Sequence, residues 1–124
     1  MARRHSPALT EAESRVMAVL WQSRQATVGD VVAGLKKKHP VTYSTVQTLL
    51  RILETKGHVA HEKVGRAFVY RAVIDERQAR RSALRHLVSR LFDGSPSLLV
   101  LNMLDDEEMD AAELKRMKKL IENA

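Results

Sequence analysis

The 124-residue chain contains no cysteine, and this absence excludes several kinds of chemistry. Without cysteine the protein has no disulfide, no thiolate nucleophile and no cysteine-ligated zinc or iron–sulfur centre. Aromatic residues make up only 4% of the chain, and glycine and proline number 5 and 3. These proportions favour a helix-rich fold over an all-β sandwich, whose strands and turns draw more heavily on such residues.

Long hydrophobic runs are also absent. No apolar run approaches the length of a membrane span, and residues 1–9 lack the apolar centre of a signal peptide. We therefore expect a soluble cytoplasmic protein, and a chain without disulfides suits that reducing compartment. A chain of this length forms one domain of ordinary size, or a small domain with an appendage.

Positive charge is in excess and is unevenly distributed along the chain. There are 21 Lys and Arg against 15 Asp and Glu, which leaves a net charge of +6. Residues 1–74 hold 12 basic against 5 acidic side chains (+7), residues 75–92 hold 5 against 2 (+3), and residues 93–124 hold 4 against 8 (−4). Residues 1–74 are thus expected to bind a polyanion, and the acidic residues 93–124 are expected to have a different role.

Three helices are predicted within the first 57 residues, each beginning at a threonine. In the first two, an acidic residue follows three positions later, as in a capping box. The starts are Thr10 with Glu13, Thr27 with Asp30, and Thr42. We expect the first helix over residues 11–23, lysines 36–38 in the last turn of the second, and Gly57 just beyond the end of the third.

The residue pattern then changes from helical to strand-like. Residues 59–64 and 67–73 alternate polar with apolar side chains and are separated by Gly65-Arg66, which predicts a β-hairpin. A short strand near residues 26–28 can pair with this hairpin as a third strand. Three short helices followed by a ribbon is the order of a winged helix-turn-helix, so residues 1–74 are predicted to be a winged-helix DNA-binding domain.

Residues 75–124 are predicted to be a helical dimerisation unit. Helices are expected over residues 76–92, from Ser95 and Pro96 to Leu104, and from the acidic residues 105–108 onward. Their apolar stripes form either an internal core or a dimer interface, and we favour an interface because about 50 residues bury such surface poorly alone. The candidate interface residues are Leu84, Leu87, Val88, Leu91, Leu98, Leu101, Leu104, Leu114, Met117 and Ile121. The predicted fold class is mainly α with a small β wing.

The third helix carries the clearest candidate binding residues. Its polar residues near the N-terminal half offer hydroxyl groups and a guanidinium, as a recognition helix in the major groove requires, and the hairpin tip is basic. The candidates are Tyr43, Ser44, Thr45, Thr48 and Arg51 in the helix, and Lys63 and Arg66 in the hairpin. The alternative is an ordinary solvated helix face with a wet turn.

The sequence contains no complete motif for catalysis or metal binding. Gly29 and Gly34 have the separation of a P-loop, but Leu35 and Lys36 stand where Lys and Ser or Thr are needed. The five histidines include no pair four residues apart on a helix. We expect no enzyme activity, no cofactor and no metal site.

With these motifs in place, the chain resembles the penicillinase-repressor family of bacterial winged-helix regulators. The resemblance runs from Leu9 to about Ile121. It is carried by residues 9–13 (LTEAE), 19–21 (VLW), 43–53 (YSTVQTLLRIL), 56–57 (KG) and 65–70 (GRAFVY). It implies a homodimeric repressor that binds a palindromic double-stranded operator through the helix and wing residues named above.

The resemblance also implies a mode of inactivation. Family members that respond to β-lactams are cleaved in the dimerisation unit, after signalling by a membrane sensor linked to a protease. The cut follows an Asn before a hydrophobic residue. Asn102 and Met103 occupy that place, although the classical site has Phe after Asn, and Asn102 can equally be a plain helical polar residue. Copper-responsive relatives carry a C-terminal cysteine cluster, so that branch is disfavoured.

Two other classes of function remain open. The same basic charge would serve a non-specific nucleic-acid or nucleoid-associated protein. A winged helix can also act as a protein-interaction adaptor without DNA.

Overall fold

The computed structural model describes residues 9–105 and 109–124, which contain six helices and three strands. In chain order they are α1 (Glu11–Ser23), β1 (Gln25–Thr27), α2 (Val28–Leu35), α3 (Tyr43–Thr55), β2 (Val59–Val64), β3 (Ala67–Ala72), α4 (Glu76–Leu91), α5 (Pro96–Leu104) and α6 (Ala111–Glu122). The chain divides into two compact units, one ending at Leu84 and the other running from Arg85. The mainly helical fold class with a small antiparallel sheet is confirmed.

The predicted helix starts are confirmed at α1, α2 and α3. Thr10 and Thr27 each accept a hydrogen bond from the backbone N–H three residues on, and the carboxylates of Glu13 and Asp30 accept from the N–H of those threonines. Thr42 caps α3 by accepting from Thr45 N. These bonds satisfy N–H groups that the first helical turn leaves without a partner.

The first unit is built around one apolar cluster. Side chains of α1, α2 and α3 meet there, and strands β1, β2 and β3 close one side. The buried members are Val16, Met17 and Leu20 from α1, Val28, Val31 and Leu35 from α2, Val46, Leu50 and Leu53 from α3, and Ala26, Val59 and Tyr70 from the sheet. Burial of these side chains holds the three helices in one orientation relative to the hairpin.

The sheet has the strand order β1-β3-β2, and all its pairings are antiparallel. Tyr70 in the central strand faces Ala26 on one side and His61 on the other. Gly65 turns the hairpin with a φ of 62°, in the left-handed region that glycine adopts without strain. Both the hairpin and the third strand predicted from the sequence are confirmed.

Two helix boundaries differ from the sequence prediction. Lysines 36–38 do not lie in the last turn of α2, because the helix ends at Leu35, its last buried residue, and these lysines form an exposed turn. The final helix starts at Ala111 and not at Asp105. Asp105 caps the end of α5, and Asp110 begins α6 by accepting a hydrogen bond from Glu113 N at 2.8 Å. The remaining residues of that prediction, 106–108, lie outside the described chain.

The helices from the end of α4 onward leave their apolar side chains largely uncovered. Val88 is buried, but Leu91 and Ile121 are 68% and 73% exposed, and neither α5 nor α6 has a buried residue. Of the other candidate interface residues, Leu84, Leu87, Leu98, Leu101 and Leu104 are exposed, whereas Leu114 and Met117 are half-buried. A single copy thus presents an apolar surface that water would solvate unfavourably.

Candidate nucleic-acid interface

Helix α3 has one buried and one exposed face. Val46, Leu50 and Leu53 are fully buried against α1 and α2. On the opposite face, Ser44, Gln47, Thr48 and Arg51 are all exposed and follow the spacing i, i+3, i+4, i+7. This spacing brings the four side chains into a single polar stripe along the helix. We call these four residues the α3 stripe.

Several hydroxyl groups near the start of α3 are already hydrogen-bonded within the chain. Thr42 Oγ1 lies 2.9 Å from Thr45 Oγ1 and 3.3 Å from Ser44 Oγ, and Thr48 Oγ1 donates to Ser44 O at 3.0 Å. These bonds fix the rotamers of the hydroxyl side chains. A fixed hydroxyl can still accept or share a hydrogen bond with a base or a phosphate.

His61 makes one polar contact with α3 and two aromatic contacts within the hairpin. His61 Nδ1 on β2 lies 2.6 Å from Glu54 Oε2 on α3. The His61 ring also meets the rings of Phe68 and Tyr70, with centroids 5.1 Å apart in both pairs. These contacts position the wing, whose exposed tip carries Lys63 and Arg66.

A cleft of about 480 Å³ separates the wing from the start of α3. Its lining includes Thr27 and Gly29 at the start of α2, Tyr43 and Gln47 from α3, and Arg66, Phe68 and Tyr70 from the wing. The structure therefore brings the predicted residues Tyr43 and Arg66 to the same cleft. Thr45 and Lys63 are exposed but do not line it.

Gln47 was absent from the sequence prediction, although the structure places it in both the α3 stripe and the cleft. The signal was its spacing, three residues after Ser44 and four before Arg51. The sequence prediction rests on hydroxyl groups and a guanidinium, and it therefore omits the amide of Gln47.

The exposed arginine and lysine side chains at this surface favour an anionic ligand. Glu54 Oε2 lies 2.6 Å from His61 Nδ1. The hydrogen bonds from Thr27 lower the pKa of Asp30, so this side chain at the start of α2 stays a carboxylate. Burial, with a smaller effect of Glu54, raises the pKa of Tyr70, which therefore stays a neutral phenol in the cleft wall. Arg51, Lys63 and Arg66 remain as exposed cations.

Metal-ligand clusters and membrane-spanning helices were sought among the described residues. Within residues 9–105 and 109–124, His, Asp and Glu side chains do not assemble into a group of three that could hold a metal ion. In the same part of the chain, every helix is too short or too polar to cross a membrane.

The candidate cleavage residues lie in the last turn of α5. Asn102 is exposed and its side-chain Nδ2 donates to Leu98 O at 2.8 Å, while Met103 is 39% exposed. The bond between them is part of a regular helix.

Three helices, the α3 stripe and the adjoining basic hairpin define a winged helix-turn-helix protein. The sequence profile of the penicillinase repressor family matches residues 9–123. This chain belongs to that family, whose members are transcriptional repressors and not enzymes.

Individual relatives agree with this assignment. The penicillinase repressor of Bacillus licheniformis is 30% identical over 116 residues, covering 94% of this chain and 91% of that protein. The methicillin resistance regulatory protein MecI of Staphylococcus aureus (strain N315) is 20% identical over 113 residues, or 91% and 92% of the two chains.

Solved structures extend the likeness to three dimensions. The DNA-binding domain of the repressor BlaI is 36% identical and superposes with a TM-score of 0.52, covering 60% of this chain and 90% of that domain. The monomeric form of Bacillus licheniformis BlaI, solved in complex with the blaP half-operator, is also 36% identical over the same shares, with a TM-score of 0.50.

Proposed function

We propose that this family member represses transcription by binding a double-stranded operator through the α3 stripe and the wing. Residues 1–74 form the DNA-binding part in this proposal. The observation that carries it is the exposed α3 stripe beside a wing whose tip is basic. The half-operator complex of the BlaI relative supports the same use of the fold. Such a protein would act in the cytoplasm, without a cofactor.

We further propose that residues 75–124 form a homodimer and that the operator is a palindrome. The support is the exposed apolar surface of α4, α5 and α6, which a second copy would cover. Two winged helices related by a two-fold axis read two half-sites, whose centres lie about one helical turn or a small multiple apart.

The DNA-binding proposal is tested by gel shift or fluorescence anisotropy on a duplex selected by the protein from a randomised pool. Thr48→Ala and Arg51→Ala should weaken binding to that duplex more than to random DNA, because base contacts carry the sequence preference. Arg66→Ala should weaken both, since a wing contact to phosphate carries no sequence information directly. Arg77→Ala, an exposed arginine of α4, is the matched control.

Other outcomes would support the alternative functions. Equal affinity for selected and random DNA would indicate a non-specific nucleic-acid-binding protein. An intact dimer that binds no duplex at any salt concentration would indicate a protein-interaction adaptor. Operator binding should also weaken steeply from about 50 to 200 mM salt, because phosphate contacts release counterions.

We propose that a sensor-linked protease inactivates the repressor between Asn102 and Met103. The support is their match to the family position and their exposure on α5. A protease binds extended backbone, so the last turn of α5 has to unwind first. Immunoblots of induced cells should show a fragment ending near residue 102, which Asn102→Ala abolishes. Derepression with only full-length protein present would contradict the proposal.

A further inference from the structure

We propose that Gln47 is a specificity-determining residue that reads an adenine in each half-site. This inference rests on the proposed operator binding and names one base contact within it. A glutamine amide matches adenine in the major groove, because its NH₂ can donate to N7 while its oxygen accepts from the N6 amino group.

The position of Gln47 suits a base contact. It is exposed in the N-terminal half of α3, one turn after Tyr43, and the N-terminal part of a recognition helix is the part that approaches base edges. It also lines the cleft shared with Arg66 of the wing. A duplex that contacts both α3 and the wing would therefore come within reach of the Gln47 side chain.

The Gln47 amide is also available for a ligand. In the described part of the chain it has no hydrogen bond to any other residue, whereas the hydroxyls of Thr45 and Thr48 are bonded within α3 and its cap. Because the Gln47 side chain makes no hydrogen bond within the described chain, it does not have to break one in order to bind a base. Among the members of the α3 stripe, only Gln47 and Arg51 have the two-pronged polar groups that bond one base at two points.

The spacing of Gln47 and Arg51 adds a prediction about the half-site. Four residues of helix advance about 6 Å along the axis. Stacked bases rise about 3.4 Å each, so the two side chains address positions roughly two base pairs apart. Arginine in the major groove matches guanine. The half-site should therefore contain an adenine and a guanine, on either strand, about two steps apart.

The test combines a protein substitution with a change of one DNA atom. Duplexes are first selected by the wild-type protein from a randomised pool, and each adenine of the half-site is then replaced by 7-deazaadenine, which lacks the N7 acceptor. The wild type should lose affinity by roughly 10-fold or more at one adenine. Gln47→Ala should show a similar loss on unmodified DNA and no further loss at that adenine.

A second variant and a control sharpen the result. Gln47→Arg should move the preference at the same position from adenine to guanine. Gln22→Ala removes an exposed glutamine of α1 that does not line the cleft, and should leave affinity unchanged. Circular dichroism should show equal folding of all variants, because Gln47 is outside the core.

The failures of this inference and of the proposed function are distinguishable. If the wild type selects a sequence and Gln47→Ala keeps the same preference at every position, operator binding stands and the role of Gln47 is overturned. A uniform loss of affinity across all sequences would likewise assign Gln47 to the phosphate backbone and overturn the base contact. If the wild type selects no sequence at all, the proposed function itself fails, and the base contact fails with it.

Discussion

Lys56 Nζ lies 2.8 Å from Glu13 Oε1, and this ion pair joins the end of α3 to the first turn of α1. The same Glu13 oxygen accepts a hydrogen bond from Thr10 N at 2.7 Å, so one carboxylate serves both the capping box and the ion pair. The Glu13 side chain is 2% exposed and that of Lys56 is 10% exposed. The recognition helix is therefore tied at its C-terminal end to a buried charge on α1.

Removing the Glu13 charge should destabilise the fold in a pH-dependent way. Burial raises the pKa of Glu13, but the hydrogen bonds and charge of Lys56 together with the bonds from Thr10 outweigh it and leave the pKa lowered. A lowered folded-state pKa stabilises the protein above the ordinary value of 4.5, and this contribution is lost as the pH falls through the folded-state pKa. Glu13→Gln should cost on the order of 3 kcal/mol at pH 7, because the buried carboxylate charge opposite Lys56 is then lost.

Urea unfolding at pH 7 and at pH 3 measures this effect. The difference in unfolding free energy between wild type and Glu13→Gln should be smaller at pH 3 than at pH 7. Glu11→Gln is the control, because it breaks the exposed pair with Arg15 in the same helix and should cost less than about 1 kcal/mol. If this difference in unfolding free energy is equal at both pH values, the charge of Glu13 does not stabilise the fold.

Gly34→Ala should destabilise the protein although alanine favours helices. A Cβ at Gly34 would lie 3.1 Å from Val19 Cγ1 and 3.3 Å from Val19 Cγ2, so the Val19 side chain would have to shift by a few tenths of an ångström. We expect a cost of about 1–2 kcal/mol in unfolding free energy from this overpacking. Val19→Ala in the same chain should recover part of the loss by removing the two methyl groups.

The matched control for Gly34 is the other glycine of α2. A Cβ at Gly29 would meet only Thr27 Oγ1, at 3.8 Å. Gly29→Ala should therefore stabilise the protein by up to about 1 kcal/mol through helix propensity. Equal effects of the two substitutions on the thermal midpoint would refute the proposed close packing against Val19.

His61→Ala should weaken the contribution of the wing to DNA binding. The substitution removes the contact from the hairpin to Glu54 on α3 and two ring contacts within the hairpin, so the wing is held less firmly against α3. In a double-mutant cycle, Arg66→Ala should then reduce the DNA-binding free energy by less in the His61→Ala background than in the wild type. As a control, Thr48→Ala should reduce the DNA-binding free energy equally in both backgrounds. If the effects of Arg66→Ala and His61→Ala are strictly additive, His61 does not position the wing.

Leu101→Asp and Ile121→Asp should produce monomers. Both side chains are exposed in the single chain, at 57% and 73%, and a charge there opposes burial by a second copy. Sedimentation velocity should show the loss of the dimer, and binding to a full operator should fall to the affinity for one half-site. Ser97→Asp, at an exposed polar position of α5, is the control. A dimer that survives both apolar substitutions would place the interface elsewhere.

Local sequence signals predicted the elements well where one short-range interaction decides the structure. The capping residues Thr10, Thr27 and Thr42 and the glycine turn at Gly65 each act over three or four residues, and each is confirmed. Boundaries that depend on packing were predicted less well. Lysines 36–38 suited a helix end, yet α2 stops where its burial stops, at Leu35.

By itself, the sequence determined the order of helices and strands, the basic character of the first part and the polar face of α3, because capping, periodicity and charge are properties of neighbouring residues. Only the tertiary structure decided that Glu13 pairs with Lys56, that His61 meets Glu54, and that Gln47 and Arg66 share one cleft. Each pair joins two different elements of the fold. Their contacts exist because the buried core holds α1, α3 and the hairpin in one arrangement, which no local pattern records.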